Sequence, residues 1–117
     1  MIYKGDVFWI DFGKPRGRGL AYRHPYVVIQ GNTYNHSNIG TVVVCGITSK
    51  LKKIRYPGNV LLNQKEANLP KESVVNVSQL YTVDKDILTK KIGTLSADKM
   101  REIIKGINLL LDADDSN

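Results

Sequence analysis

Thr41-Val-Val-Val-Cys-Gly-Ile-Thr48 is the stretch on which the fold turns. It is a near-continuous apolar run rich in β-branched residues, so it reads as a strand covered on both faces. Upstream, Pro25-Tyr-Val-Val-Ile-Gln30 is a second strand, with its proline at the entrance, where proline is tolerated. Asp6-Val-Phe-Trp-Ile-Asp-Phe12 is a third. Downstream, Asn59–Leu62, Ser73–Val77 and Lys91–Thr94 are shorter pieces of the same character. Between them lie three polar loops. Gly13-Lys-Pro-Arg-Gly-Arg-Gly19 is broken by glycine and proline, Asn32–Asn38 is rich in turn formers, and Lys50–Gly58 is basic.

One helix is expected, over about 97–112. Ser96 is its N-cap, and Met100, Ile103, Ile104, Ile107, Leu110 and Leu111 recur on one face. That stripe is expected to pack on the domain's own sheet. Asp112, Asp114 and Asp115 oppose the dipole at its C-terminus, so the helix should end there. Many short strands, long loops and one terminal helix predict a mainly β fold: a small, strongly bent antiparallel sheet or barrel closed by a helix. A chain of 117 residues is expected to form one domain, 1–117.

The charge is unevenly distributed. From Phe12 to Lys65 there is no Asp or Glu, while Lys14, Arg16, Arg18, Arg23, Lys50, Lys52, Lys53, Arg55 and Lys65 carry +9. The whole chain is only +6, so the remainder sums to −3. Such a concentration in a small domain suits a polyanion. No apolar run approaches the ~18 residues of a membrane span, and the start Met1–Asp6 has no secretory core. No membrane partner is expected. Cys45, the sole cysteine, lies inside the apolar run and reads as a small buried hydrophobe. A cytoplasmic setting fits it.

Metal chemistry has little to build on. The chain has two histidines and one cysteine, with no His-x-x-x-His or Cys-x-x-Cys spacing. Gly13–Gly19 lacks the Gly-Lys-Ser/Thr ending of a phosphate loop. No cofactor is expected. Metal-free cleavage of RNA remains open. The 2′-OH attacks the adjacent phosphorus, and the protein supplies a base, an acid and donors for the phosphorane oxygens. Tyr22-Arg23-His24-Pro25 offers an imidazole that titrates near neutrality and a planar guanidinium fork. Thr48 and Ser49 place hydroxyls at a strand end before Lys50, Lys52 and Lys53. Tyr22, Tyr26, Tyr34, Tyr56 and Tyr81 are candidate stacking surfaces for unpaired bases.

These residues carry a family resemblance. Gly5-Asp-Val-Phe-Trp9, His24-Pro-Tyr-Val-Val-Ile-Gln30, Val44-Cys-Gly-Ile-Thr-Ser49, Asn68–Val75, Ser78–Lys85 and Lys91–Leu95 stand in the order of the MazF/PemK (Kid) toxin–antitoxin ribonucleases. The chain resembles that family over nearly its whole length. The resemblance implies an SH3-like small antiparallel β-barrel with a C-terminal α-helix, and a homodimer. It implies metal-independent, sequence-selective cleavage of single-stranded RNA to 2′,3′-cyclic phosphate and 5′-OH ends. It further implies a cognate acidic antitoxin of MazE/PemI type in the RNA groove, with operator DNA reached through the antitoxin complex.

The family's threonine falls on Thr48. Its catalytic arginine stands just before the proline, where this chain has His24, with Arg23 one residue earlier. Neighbours on an extended chain point to opposite sides, so either His24 replaces the arginine or the loop brings Arg23 into place. Ser78 stands where some members carry an acid before the glutamine matched by Gln79. The expected catalytic set is Arg23, His24 and Thr48. Arg16, Arg18, Ser49, Lys50, Lys52 and Lys53 would hold the RNA backbone, Asn35 and His36 would approach bases from a loop, and Ser78 and Gln79 would contact RNA. A gyrase-directed poison of the related CcdB type and a non-catalytic nucleic-acid-binding module are the other readings.

Overall fold

A computed structural model describes residues 1–13 and 22–112. It contains the strands β1 (Asp6–Gly13), β2 (Tyr22–Val28), β3 (Thr41–Thr48), β4 (Val60–Leu62), β5 (Ser73–Asp84) and β6 (Lys90–Thr94). A single helical turn, α1 (Asn32–Asn35), follows β2, and α2 (Ala97–Leu111) ends the described fold. The strands form one antiparallel sheet in the order β4-β5-β3-β2-β1-β6, with β3 near its middle.

Both faces of β3 are covered, as its apolar run implies. Val7, Val27, Cys45, Ile47, Val75 and Val77 point to one face and pack with Met100, Ile103 and Ile107 of α2. Phe8, Ile10, Tyr26, Val28, Val42 and Val44 occupy the other, with Val83 and Leu88. The sheet curls into a half-barrel. Its edge strands β4 and β6 do not pair; the 3-10 turn Glu66–Asn68 stitches the gap instead, with Asn68 Nδ2 donating to the Ile92 carbonyl at 3.0 Å.

The helix begins as its cap predicts: Ser96 Oγ accepts from the Lys99 N–H at 3.1 Å. Its stripe divides. Met100, Ile103 and Ile107 are buried, but Leu109, Leu110 and Leu111 at the last turn stay exposed. The expectation that the whole stripe packs on the sheet therefore fails at Leu110 and Leu111, because α2 outruns the core beneath it. β5 is also longer than the run Ser73–Val77 suggests. Its second half alternates exposed polar residues with Leu80 and Val83, which hides it from a search for apolar runs.

Cys45 is fully buried, and its thiol donates to the Asn76 carbonyl at 3.2 Å. Burial pushes the thiol up to about 12 from its ordinary 9.0. Unfolded chains lose this proton as pH passes about 9, while the folded chain keeps it to about 12. The associated stability is complete below pH 9 and is lost as pH climbs to 12. The melting temperature should fall across that window more steeply in the native chain than in Cys45→Ala. Parallel slopes for the two proteins would contradict this.

Candidate active site

The site lies at the C-terminal end of β3, where the sheet is irregular. Leu80 pairs with Cys45, but the next paired residue of β3, Ile47, meets Val75. Asn76–Gln79 therefore bulge opposite Gly46, and a bulge of this kind re-aims side chains. Gly46 makes room for one of them. A Cβ there would lie 2.7 Å from Gln79 Oε1, so the missing side chain lets Gln79 fold across the strand. The Cys45 thiol holds the same bulge from the core side.

The resulting cleft, about 440 Å³, is lined by His24, Tyr26, Thr48, Lys50, Lys53, Asn76, Gln79 and Tyr81, with Gly46 and Ile47 in its floor. No carboxylate is among these lining residues. Thr48 Oγ1 accepts from the Lys50 N–H at 3.2 Å, which bends the chain so that Lys50 turns back over the strand end. Lys53 belongs to the 3-10 turn Leu51–Arg55, whose basic side chains crowd one short segment. Its ammonium lies 5.4 Å from the Tyr56 ring centre. Among the described residues none of Lys50, Lys52, Lys53 and Arg55 joins an ion pair; the pairs formed are Lys91–Asp6, Lys99–Glu66, Lys99–Glu102 and Arg101–Asp98.

Phe12, Tyr26 and Tyr81 form an aromatic cluster beside the cleft, with ring centres 5.3–5.8 Å apart. Burial, reinforced by the neighbouring Tyr81 phenol, raises the Tyr26 hydroxyl above its ordinary 10.0. Tyr26 is thus a proton donor at neutral pH. Phe12 and Tyr81 remain exposed enough to take a stacked base.

The β1–β2 register separates the side chains of Arg23 and His24. Arg23 stands opposite Asp11 and His24 opposite Ile10, so they face opposite sides. His24 enters the cleft beside Thr48. Arg23 lies over the Trp9 ring at 5.0 Å and lines a second, smaller depression with Ser49, Lys71 and Ser73. His24 and Ile47 border both.

Several expected residues do not gather here. Asn35 is buried in α1: its Nδ2 donates to the Gln30 carbonyl at 2.7 Å and to Asn32 Oδ1 at 3.1 Å, and its Oδ1 accepts from Gln30 Nε2 at 3.1 Å. Its amide holds the turn together and has nothing left for a base. His36 reaches the Ile2 carbonyl at 3.1 Å and meets the Tyr3 ring edge-on at 4.7 Å. The Gln30 amide that bonds Asn35 also donates to the Thr41 carbonyl at 3.2 Å, and Thr41 is the opposite end of β3 from Thr48, about 23 Å away at the usual rise of a strand. Lys52 faces a separate hollow on its own turn, and Ser78 lines a groove against α2 while donating to Asn76 Oδ1 at 2.9 Å. Arg16 and Arg18 lie outside the described residues. Asn76 was not anticipated, although a lone amide inside Val74-Val-Asn-Val77 is a signal: a polar side chain buried in an apolar strand needs dedicated partners. Among the described residues no group of three or more His, Cys, Asp or Glu could hold a metal.

The described fold is thus a curled antiparallel sheet closed by a terminal helix, with a lysine-rimmed cleft at the end of its central strand. Residues 3–111 match the PemK-like, MazF-like toxins of type II toxin–antitoxin systems, and the chain belongs to that family. It is 38% identical over 112 residues to endoribonuclease MazF6 of Mycobacterium tuberculosis H37Rv, covering 96% of this chain and 98% of that one. Endoribonuclease MazF2 of Mycobacterium bovis is similar to the same degree. Solved structures share the fold. An endoribonuclease in complex with its cognate antitoxin, from a mycobacterial species, superposes with a TM-score of 0.78 at 20% identity, covering 97% of both chains. A MazE–MazF complex of Deinococcus radiodurans gives 0.77 at 23% identity, with the same coverage.

Proposed function

We propose that this chain is the toxin of a toxin–antitoxin pair, an endoribonuclease that cleaves single-stranded RNA by transphosphorylation. One observation carries the reading: His24, Thr48, Lys50 and Lys53 line a single cleft that contains no carboxylate. Neutral imidazole of His24 takes the proton from the 2′-OH as that oxygen attacks phosphorus. Thr48, Lys50 and Lys53 donate to the phosphorane oxygens. The P–O5′ bond then breaks, and the Tyr26 phenol protonates the leaving oxygen. The proton passes from imidazolium back to phenolate through solvent, which closes the cycle and leaves a 2′,3′-cyclic phosphate and a 5′-OH. No step uses a metal ion.

The partners follow from the same features. The exposed turn Leu109–Leu111 borders an apolar groove lined by Tyr56, Pro57 and Val77, and this face would seat a second copy in a homodimer. Lys53 and Asn76 line both this groove and the cleft, so the RNA track would border the subunit interface. An acidic antitoxin segment would compete for the lysine rim, which presents the same field to carboxylates as to phosphates. The working compartment would be the cytoplasm, where mRNA is translated; no described helix is long and apolar enough to cross a membrane.

The test is incubation of the purified protein with long single-stranded RNA in excess EDTA. Cleavage with 5′-OH product ends is expected. Strict Mg²⁺ dependence or 5′-phosphate ends would overturn the mechanism. Binding without cleavage would favour a nucleic-acid-binding module, and neither binding nor cleavage a toxin aimed at a protein.

A further inference from the structure

Asn59 sits between the basic 3-10 turn and β4, and its side chain touches three groups. Its Oδ1 accepts from the Val77 N–H at 2.9 Å. Its Nδ2 donates to the Lys53 carbonyl at 2.9 Å and reaches Asn76 Oδ1 at 3.5 Å. The two ends of an amide have the same shape, so the partners decide which end is which. A backbone N–H can only donate. Val77 therefore commits Asn59 Oδ1, and with it turns Nδ2 toward Lys53 and Asn76.

Asn76 is fixed in turn. Its Oδ1 faces the Asn59 amide and the Ser78 hydroxyl, which donates at 2.9 Å. The end left for the cleft is Nδ2, and Asn76 lines that cleft with His24, Thr48 and Gln79. The same Asn59 also anchors the carbonyl of Lys53, which lines the cleft from the other side.

We propose that Asn76 presents an N–H donor to an acceptor on the base edge of the nucleotide seated in the cleft, and that Asn59 is the positioning residue that sets this polarity. The proposal rests on the ribonuclease reading and adds a determinant of sequence choice to it. Buried amides discriminate well because the wrong base leaves them unpaired.

The test uses a pool of single-stranded RNAs randomised around the cleaved bond, with the rate for each sequence read from its 5′-OH ends. Failure of the wild-type protein to cleave would remove the ribonuclease reading itself. Asn59→Asp keeps the acceptor for Val77 but sets a carboxylate oxygen against Asn76 Oδ1. The Asn76 amide should then turn over and offer an acceptor to the cleft. The preferred sequence should slow by about tenfold, near the effect of one lost hydrogen bond. The rank order of bases should change at one position, and Asn76→Asp should change it at that same position. Asn59→Ser carries no charge and should relax the same position, and it decides the matter if Asn59→Asp does not fold. If Asn59 variants slow every sequence by one common factor, Asn59 has a structural role only and the proposal is wrong. It is equally wrong if Asn76→Asp leaves base preference untouched.

Discussion

Replacing His24 with alanine should lower the rate of RNA cleavage by about 10²–10⁴-fold, the range of a positioned acid–base group. His24 is the only histidine among the residues that line the cleft. Thr48, Lys50 and Lys53 can stabilise charge on phosphorus but cannot take the 2′ proton at neutral pH. The fold should tolerate the change, because His24 is exposed and its neighbours in the core are supplied by Tyr26 and Val28. Arg23→Ala should behave differently. Its guanidinium lies over Trp9 on the opposite side of β2, so cleavage should stay within about tenfold of wild type, as expected for a group that helps hold a flanking phosphate. Single-turnover rates on one short RNA, with thermal melts of each variant, separate the two residues. Full activity in His24→Ala with loss in Arg23→Ala would reverse their roles and would mean that Arg23 reaches the cleft when RNA binds.

Gly106→Ala should be the most damaging conservative change outside the site. On an exposed helix face, alanine for glycine stabilises by about 1 kcal/mol. Here α2 crosses the chain at Gly58 with almost no gap. A Cβ on Gly106 would lie 2.1 Å from the Gly58 carbonyl oxygen, which is backbone and cannot rotate away. Gly58 itself has φ of +84°, a left-handed conformation that glycine adopts without strain. The helix must lift, and Ile103 and Ile107 must lift with it. Overpacking of this kind costs roughly 2–3 kcal/mol; less the roughly 1 kcal/mol gained from helix propensity, the net loss is roughly 1–2 kcal/mol, a fall of roughly 5–10 °C in Tm for a domain this size. Thermal and urea unfolding would measure it. A rise in Tm would show that helix and loop separate freely, contrary to the packing described.

The two glycine contacts illustrate what a sequence withholds. Gly106 is merely a poor helix former in Lys105-Gly-Ile107, and Gly46 merely an interruption in an apolar run. Their purpose depends on Gly58 and Gln79, residues 48 and 33 positions away, and no local pattern encodes such distances. Asn35 and His36 show the opposite error. A polar loop rich in asparagine resembles a recognition loop, yet Asn35 is consumed by the turn it builds. Turn chemistry and ligand chemistry use the same amide groups, so composition cannot separate them.

Elements with local causes were legible from residues alone. The apolar run of β3, the Ser96 cap and the periodic stripe of α2 are set by solvent exclusion and backbone capping, which act over a few residues. The acid-free span from Phe12 to Lys65, with its concentration of positive charge, is likewise legible in the sequence alone. Which cations share a cleft, however, was decided by tertiary structure. The register of β1 against β2 sent His24 inward and Arg23 over Trp9. The bulge in β5 delivered Asn76 and Gln79 to the end of β3. Register and bulge are consequences of pairing between strands far apart in the chain, where a slip of one residue turns every side chain to the other face. That physical fact lies in the ladder and not in either strand's own sequence.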